Sequence, residues 1–314
     1  MKQVSRREVV GAATTLVVGL GVIGASQAQT DDSKAIGSSG GSGPQVGRVT
    51  TEGDELYFET YGNGKPLLMI SGGNGDAGFY SLVAPLLADE FQVICYDRRG
   101  NSRSSRNAPQ NPEMSQQARD AVAVLRAAGH SSALVFGNSG GALVALELAR
   151  RHPSVVRGMV VHEPPALRVL PDANEWLAFY AEVFIKALKE GWLKAQQHFY
   201  SALALPPDLY KHIPSDFSER LQRYGNAEFM ITRELMPLAS YEPDIEAIRA
   251  NAVKLVMAAG KQSLEANAHY ARTAPILAER LGCEMVVMPG HHNSYFDTPE
   301  EWSQSLREIL RRFT

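Results

Sequence analysis

The chain has 314 residues, a net charge of −3 and 44% hydrophobic residues, enough for a large buried core. With 31 basic residues against 34 acidic ones there is no cationic excess, which excludes an electrostatic footprint for nucleic acid or an anionic membrane. Two cysteines, Cys95 and Cys283, are too few for a disulfide scaffold or a four-thiolate metal site.

The N-terminal segment differs in kind from the rest. Arg6 and Arg7 precede a run from Val9 to Thr30 that holds no charge and is rich in Gly, Ala, Val and Thr. Ser26 and Ala28 place small residues at the −3 and −1 positions of a cleavage site after Ala28. The pattern resembles a bacterial twin-arginine export signal. It implies passage of the folded chain through the twin-arginine machinery to a periplasmic or extracellular location, with residues 1–28 removed. The alternative is an uncleaved anchor, which the glycine-broken, moderately apolar run disfavours. No cysteine follows the run directly, so a lipoprotein anchor is excluded. Residues 29–45 are polar and Gly/Ser-rich and read as a flexible linker. No apolar stretch in the body reaches the ~20 residues of a membrane span.

Beyond the linker, strand signals begin near Val46. Residues 55–61 are β-rich and end in a Gly62-Asn63-Gly64 turn. Residues 66–70 and 91–96 are short continuous apolar runs, as expected for strands buried on both faces. Between them, residues 79–88 read as a helix, and residues 115–128 follow as an amphipathic helix. A strand over 133–136, a glycine-rich turn and a helix over 142–151 come next, then a strand over 157–161. The following ninety or so residues show helical, aromatic-rich patterns and no clear strand. Alternation resumes with strands at 254–258 and 284–288 and helices at 275–281 and 299–312. This order predicts an α/β fold, a mostly parallel eight-stranded sheet with helices on both faces. The single domain spans 46–314, with an inserted helical cap at about 164–241.

Gly137-Asn138-Ser139-Gly140-Gly141 sits between a buried strand and a helix. A sharp strand-to-helix turn needs glycines for close backbone approach and leaves the serine hydroxyl exposed. The chain here resembles the α/β-hydrolase superfamily, from about Val46 to the C-terminus, with the cap poorly matched. The resemblance implies Ser139 as nucleophile and the Gly140 N–H as half of an oxyanion hole. Ser71-Gly72-Gly73-Asn74, after the third strand, stands where the family carries the other donor, the Gly73 N–H. Asp97-Arg98-Arg99-Gly100 resembles the family's D-x-R-G turn, which carries no chemistry. Pro289-Gly290-His291-His292 matches the family's P-G-x-H loop and selects His292 as base, with His291 as rival. Two adjacent histidines without a third ligand make no closed metal site, and no cofactor is implied.

The family's usual aspartate after the penultimate strand is missing, because Gly260-Lys261-Gln262-Ser263 ends on serine. His162-Glu163-Pro164-Pro165 supplies a substitute. Glu163 lies at the neighbouring strand end, and zearalenone-type lactonases have a similar H-E-x-P segment. Glu163 is therefore the expected acid, with pairing to Arg168 as its structural alternative and Glu265 and Asp76 as lesser candidates. His162 reads as a packed strand-end residue.

Trp176, Phe179, Tyr180, Phe184, Trp192, Phe199 and Tyr200 read mainly as cap packing, with a few lining an apolar pocket. Met230 and Met236 add adaptable contacts. The expected activity is a serine hydrolase cleaving an ester or lactone of a hydrophobic small molecule. Carbon–carbon or amide hydrolysis and cofactor-free perhydrolysis use the same residues, and a non-catalytic binding module is the outside alternative. The family's strand order implies two free, buried thiols on opposite sides of the strand that carries Ser139. The sequence sets no oligomeric state.

Overall fold

The computed structural model describes residues 43–107 and 112–313. Residues 1–28, expected as an export signal, and most of the expected linker lie outside these residues. Eight strands form one sheet: β1 (Gln45–Thr51), β2 (Asp54–Tyr61), β3 (Lys65–Ile70), β4 (Phe91–Tyr96), β5 (Ala133–Asn138), β6 (Val156–His162), β7 (Leu255–Gly260) and β8 (Glu284–Met288). Their spatial order is β1-β2-β4-β3-β5-β6-β7-β8. Pairs β1/β2 and β2/β4 are antiparallel, and all pairs from β4 to β8 are parallel. The continuous apolar runs fall where both faces are covered: Pro66–Ile70 of β3 and every residue of β5 are buried.

Helices cover both faces. On one side pack α1 (Met114–Ala127), α2 (Gly140–Arg151) and α7 (His269–Leu281), contributing Ala121, Leu146 and Leu277. On the other lie the short helix Ala84–Leu87 and α8 (Pro299–Leu310), with Leu87, Trp302 and Leu306. Among the described residues, the chain between β6 and β7 forms helices and turns only. These include α3 (Ala173–Glu190), α4 (Trp192–Tyr200), α5 (Ser215–Tyr224), a π-turn at Met230–Glu234 and α6 (Ile245–Ala250). Part of this insertion has a small core of its own around Tyr180, Val183, Ile231 and Leu235.

Two expected helices differ. Residues 79–88 are not one helix but a 3₁₀ turn, Ala77–Tyr80, followed by Ala84–Leu87. The Asp76 carboxylate accepts the Gly78 N–H at 2.6 Å and starts a tight turn, and Pro85 at the second helix's first turn lacks the N–H to continue it. The helix expected from Pro275 begins six residues earlier, at His269, with Pro275 inside it. Burial of Tyr270, Ala271 and Ala274 against the sheet outweighs the ~3 kcal/mol penalty of an internal proline. Cys95, buried in β4, and Cys283, just before β8, are both free and lie on opposite sides of β5, but Cys283 is only half-buried because it sits in the turn after α7 rather than inside a strand.

Candidate active site

The candidate residues gather at the carboxyl ends of β5, β6 and β8, where parallel sheets leave room for ligands. Asn138 pairs with His162 across β5/β6, so Ser139 and Glu163 follow neighbouring strand ends. Ser139 has φ 57° and ψ −126°, a conformation costing ~1–3 kcal/mol for a non-glycine residue. The turn is held from both sides. The Ser139 N–H donates to the His162 carbonyl at 3.0 Å, and the Ser139 carbonyl accepts the Ala142 N–H at 2.9 Å. A Cβ on Gly141 would stand 2.1 Å from the Ile70 carbonyl oxygen, and one on Gly137 would stand 2.5 Å from the Gly141 oxygen. No side chain fits at either position without moving backbone, which is why these two positions need glycine.

Glu163 is also at positive φ, 48°, and its side chain is fully buried. Its Oε1 accepts the Gly260 N–H at 2.8 Å, and its Oε2 meets His292 Nδ1 at 2.5 Å. Burial raises the Glu163 pKa, but the hydrogen bonds from His292 and the Gly260 N–H outweigh it. The carboxyl therefore lies below the ordinary glutamate value. The Tyr270 ring packs against His292 with centroids 4.2 Å apart. With Nδ1 committed to Glu163, Nε2 is the nitrogen left to take a proton from a hydroxyl. Ser139 and His292 line the same cavity, and no direct hydrogen bond joins them among the described residues. Bonds of this kind tighten when substrate enters.

The rival residues are occupied elsewhere. His291 Nε2 lies 2.9 Å from Asp297 Oδ2. Arg168 donates to the Ser240 carbonyl, not to Glu163. Asp76 is held by Arg220, and Glu265 is exposed. His162 is fully buried, with Nδ1 2.7 Å from Asn138 Oδ1, and burial pushes its pKa down to about 4, so the ring is neutral. Ser263 is buried in the short helix after β7 and brings no carboxylate there.

Gly73 and Gly140 both line the cavity. Gly140 is the first residue of α2, so its N–H has no partner within the helix. Neither N–H has a hydrogen-bond partner among the described residues. Both are thus available to an oxygen that gains negative charge.

The cavity has a volume of about 270 Å³. Trp192, Phe199, Phe217, Tyr270 and Phe296 form much of its wall, and among the described residues no Asp, Glu, Lys or Arg lines it. Of the cap aromatics, Tyr180, Trp192, Phe199 and Tyr200 face the cavity, whereas Trp176 stacks on His269 at 3.9 Å. Met230 lines the cavity, and Met236 packs into the cap core. Two buried residues near the site have no sequence signal of their own: Tyr270, against His292, and Arg98, which fills the variable position of the D-x-R-G turn and donates to the Ser71 and Gly72 carbonyls.

Comparison with known proteins now adds to this geometry. Residues 65–219 match the family model of the alpha/beta hydrolase fold. An uncharacterized hydrolase of Bacillus subtilis (strain 168), YraK, is 32% identical over 271 residues, covering 85% of this chain and 96% of its own. The chain belongs to the α/β-hydrolase family. Among solved structures, this hydrolase is similar to a thermophilic esterase from Thermogutta terrifontis. That match has a TM-score of 0.65, 23% identity, and covers 86% of this chain and 99% of the other. It is also similar to the enol-lactonase of Burkholderia xenovorans LB400, with a TM-score of 0.67, 18% identity, and coverage of 84% and 100%. At these identities the two structures speak for the fold of the hydrolase alone.

Proposed function

We propose that this hydrolase cleaves an uncharged carboxylic ester or lactone through an acyl-enzyme on Ser139. The observation that carries the reading is the buried Glu163–His292 hydrogen bond beside a serine held at a strained strand-to-helix turn. Ser139 Oγ attacks the substrate carbonyl carbon while His292 Nε2 takes the hydroxyl proton. The carbonyl oxygen becomes an oxyanion and is held by the Gly73 and Gly140 N–H groups, each such donor lowering the barrier by ~3 kcal/mol. Glu163 orients the imidazole and stabilises its protonated form. The tetrahedral adduct collapses, the carbon–oxygen ester bond breaks, and His292 returns the proton to the leaving alkoxide. Water then repeats the sequence on the acyl-enzyme, releasing the acid and free Ser139. In a lactone the alcohol stays tethered to the acid.

The uncharged lining favours a neutral, apolar substrate. A carboxylate entering this cavity would lose hydration and meet no cation. The ester and enol-lactone chemistries named for the two fold relatives fit this reading. The hydrolase acts, in this proposal, after export directed by residues 1–28. Fractionation of cells carrying Arg6→Lys/Arg7→Lys checks that part: the variant is expected in the cytoplasm, and unchanged export would refute the signal.

Labelling with a fluorophosphonate probe tests the nucleophile. Wild type should be labelled and Ser139→Ala should not. Equal labelling of both would place the nucleophile elsewhere.

A further inference from the structure

The cap does more than line the cavity, because its second half grips the loop that carries Gly73. Asn226 Nδ2 donates to the Asn74 carbonyl at 2.7 Å, and Arg220 reaches the Asp76 carboxylate at 2.9 and 3.0 Å. A third link to the loop is Arg98, whose side chain is fully buried. Its Nε donates to the Ser71 carbonyl at 3.0 Å and its Nη2 to the Gly72 carbonyl at 2.7 Å. Its Nη1 lies 2.7 Å from Glu234 Oε1, an ion pair with both side chains at 0% exposure. Asn101 Nδ2 donates to the same Glu234 oxygen at 3.1 Å.

The Gly72 carbonyl and the Gly73 N–H belong to one peptide unit. That unit is planar and trans, so its C=O and N–H point in opposite directions. Whatever fixes the carbonyl fixes the direction of the N–H at the other end. A cation on the carbonyl also polarises the unit and makes the N–H a stronger donor. Arg98 does both. Without Glu234, the inner face of Arg98 would keep Gln117 Oε1 at 3.2 Å as its only side-chain acceptor, and an underpaired buried guanidinium shifts or draws in water. Glu234 ends the π-turn Met230–Glu234, a helix irregularity often found at functional sites. The first residue of that turn lies over the loop as well: a Cβ on Gly73 would stand 2.5 Å from Met230 Sδ.

We infer that Glu234 is a positioning residue for the oxyanion donor: through Arg98 it sets the direction of the Gly73 N–H, so the cap completes the catalytic site. This rests on the acyl-enzyme reading above. Displacements of about 1 Å at a reacting centre cost up to ~100-fold in rate. Glu234→Gln should therefore lower kcat by about 10- to 100-fold and leave KM within about twofold. Its affinity for a trifluoromethyl ketone, which forms an oxyanion on Ser139, should fall in parallel with kcat. Rates are taken per folded molecule, with far-UV and near-UV circular dichroism as the check on folding. A purely structural ion pair would move the melting temperature and not these two quantities.

Wild-type kcat and ketone affinity in folded Glu234→Gln would overturn the inference. If Glu234→Gln does not fold, Glu234→Asp carries the test, since it keeps the charge and withdraws the carboxylate by one methylene. A several-fold kcat loss at constant KM supports the inference, and wild-type kcat overturns it. Ser139→Ala run alongside separates the two levels. Retained turnover there removes the acyl-enzyme reading and this inference with it, whereas an inactive Ser139→Ala beside unaffected Glu234 variants removes the inference alone.

Discussion

The two walls of the cavity bury opposite kinds of group. The sheet edge buries ionisable side chains and pairs them: Glu163 is fully enclosed and hydrogen-bonded to both His292 and the Gly260 N–H. The cap wall presents Trp192, Phe199, Phe217 and Met230. The cap's buried carboxylate, Glu234, pairs away from the cavity with Arg98. A charge is tolerated in a dry site only where its partners are built in. The sheet edge meets that condition for one carboxylate, and the cavity wall offers no partner for a second one on the substrate. On the proposed reading, the reacting side chains sit at the strand ends, while the cap lines the substrate side and holds the oxyanion loop through Glu234.

The sharpest way to break this division is at the strand end. Ser139→Ala should lower kcat on a neutral aryl ester by on the order of 10⁶-fold, as loss of a triad nucleophile does, while substrate binding by the cap persists. Activity within tenfold of wild type would contradict it.

The cap side predicts discrimination. Between two esters of equal size, one neutral and one with a terminal carboxylate on the acyl chain, the neutral one should react at least ~10-fold faster, since an unpaired charge costs more than 1.4 kcal/mol to bury. Gln222→Lys, at an exposed lining position, should raise kcat/KM for the anionic ester about fivefold through a screened attraction of ~1 kcal/mol. The neutral ester should be unaffected. Equal rates for the two esters in wild type would contradict the account of the cap.

The histidines behind the site set an acid limit on stability. Burial pushes His269 down to about 3 and His162 down to about 4, from an ordinary 6.5. Each stays neutral in the folded chain and gains a proton on unfolding below pH 6.5. The stability they contribute is whole above pH 6.5. It falls as pH drops toward 4 for His162 and toward 3 for His269, by up to ~1.4 kcal/mol per pH unit and site. His269→Phe keeps a ring on Trp176 and removes one titration. Its urea midpoint should change less between pH 7 and pH 4.5 than that of wild type. Parallel shifts would contradict this.

The contrast between walls also explains what the sequence revealed. Strand ends are local: apolar runs located β3, β4 and β5, and Gly137 to Gly141 marked the turn that holds Ser139. Glu163 became legible because Ser263 stood where the family's aspartate was expected. The cap's links to the core are long-range. Asn101 and Glu234, which share a hydrogen bond, are 133 positions apart, and no local pattern joins them. The π-turn that places Glu234 depends on packing of Met230 and Ile231, not on a turn motif. Pro275 misled for the same reason, since burial against the sheet overrode a local helix-breaking signal.

On the proposed mechanism the carboxylate after β6, rather than any group after β7, orients His292. The direct test compares kcat/KM of Glu163→Gln and Ser263→Ala on one neutral ester. Glu163→Gln should lose about 10⁴-fold, the size seen when a triad acid becomes an amide, and Ser263→Ala should change by under about threefold. Wild-type activity in Glu163→Gln would contradict that mechanism.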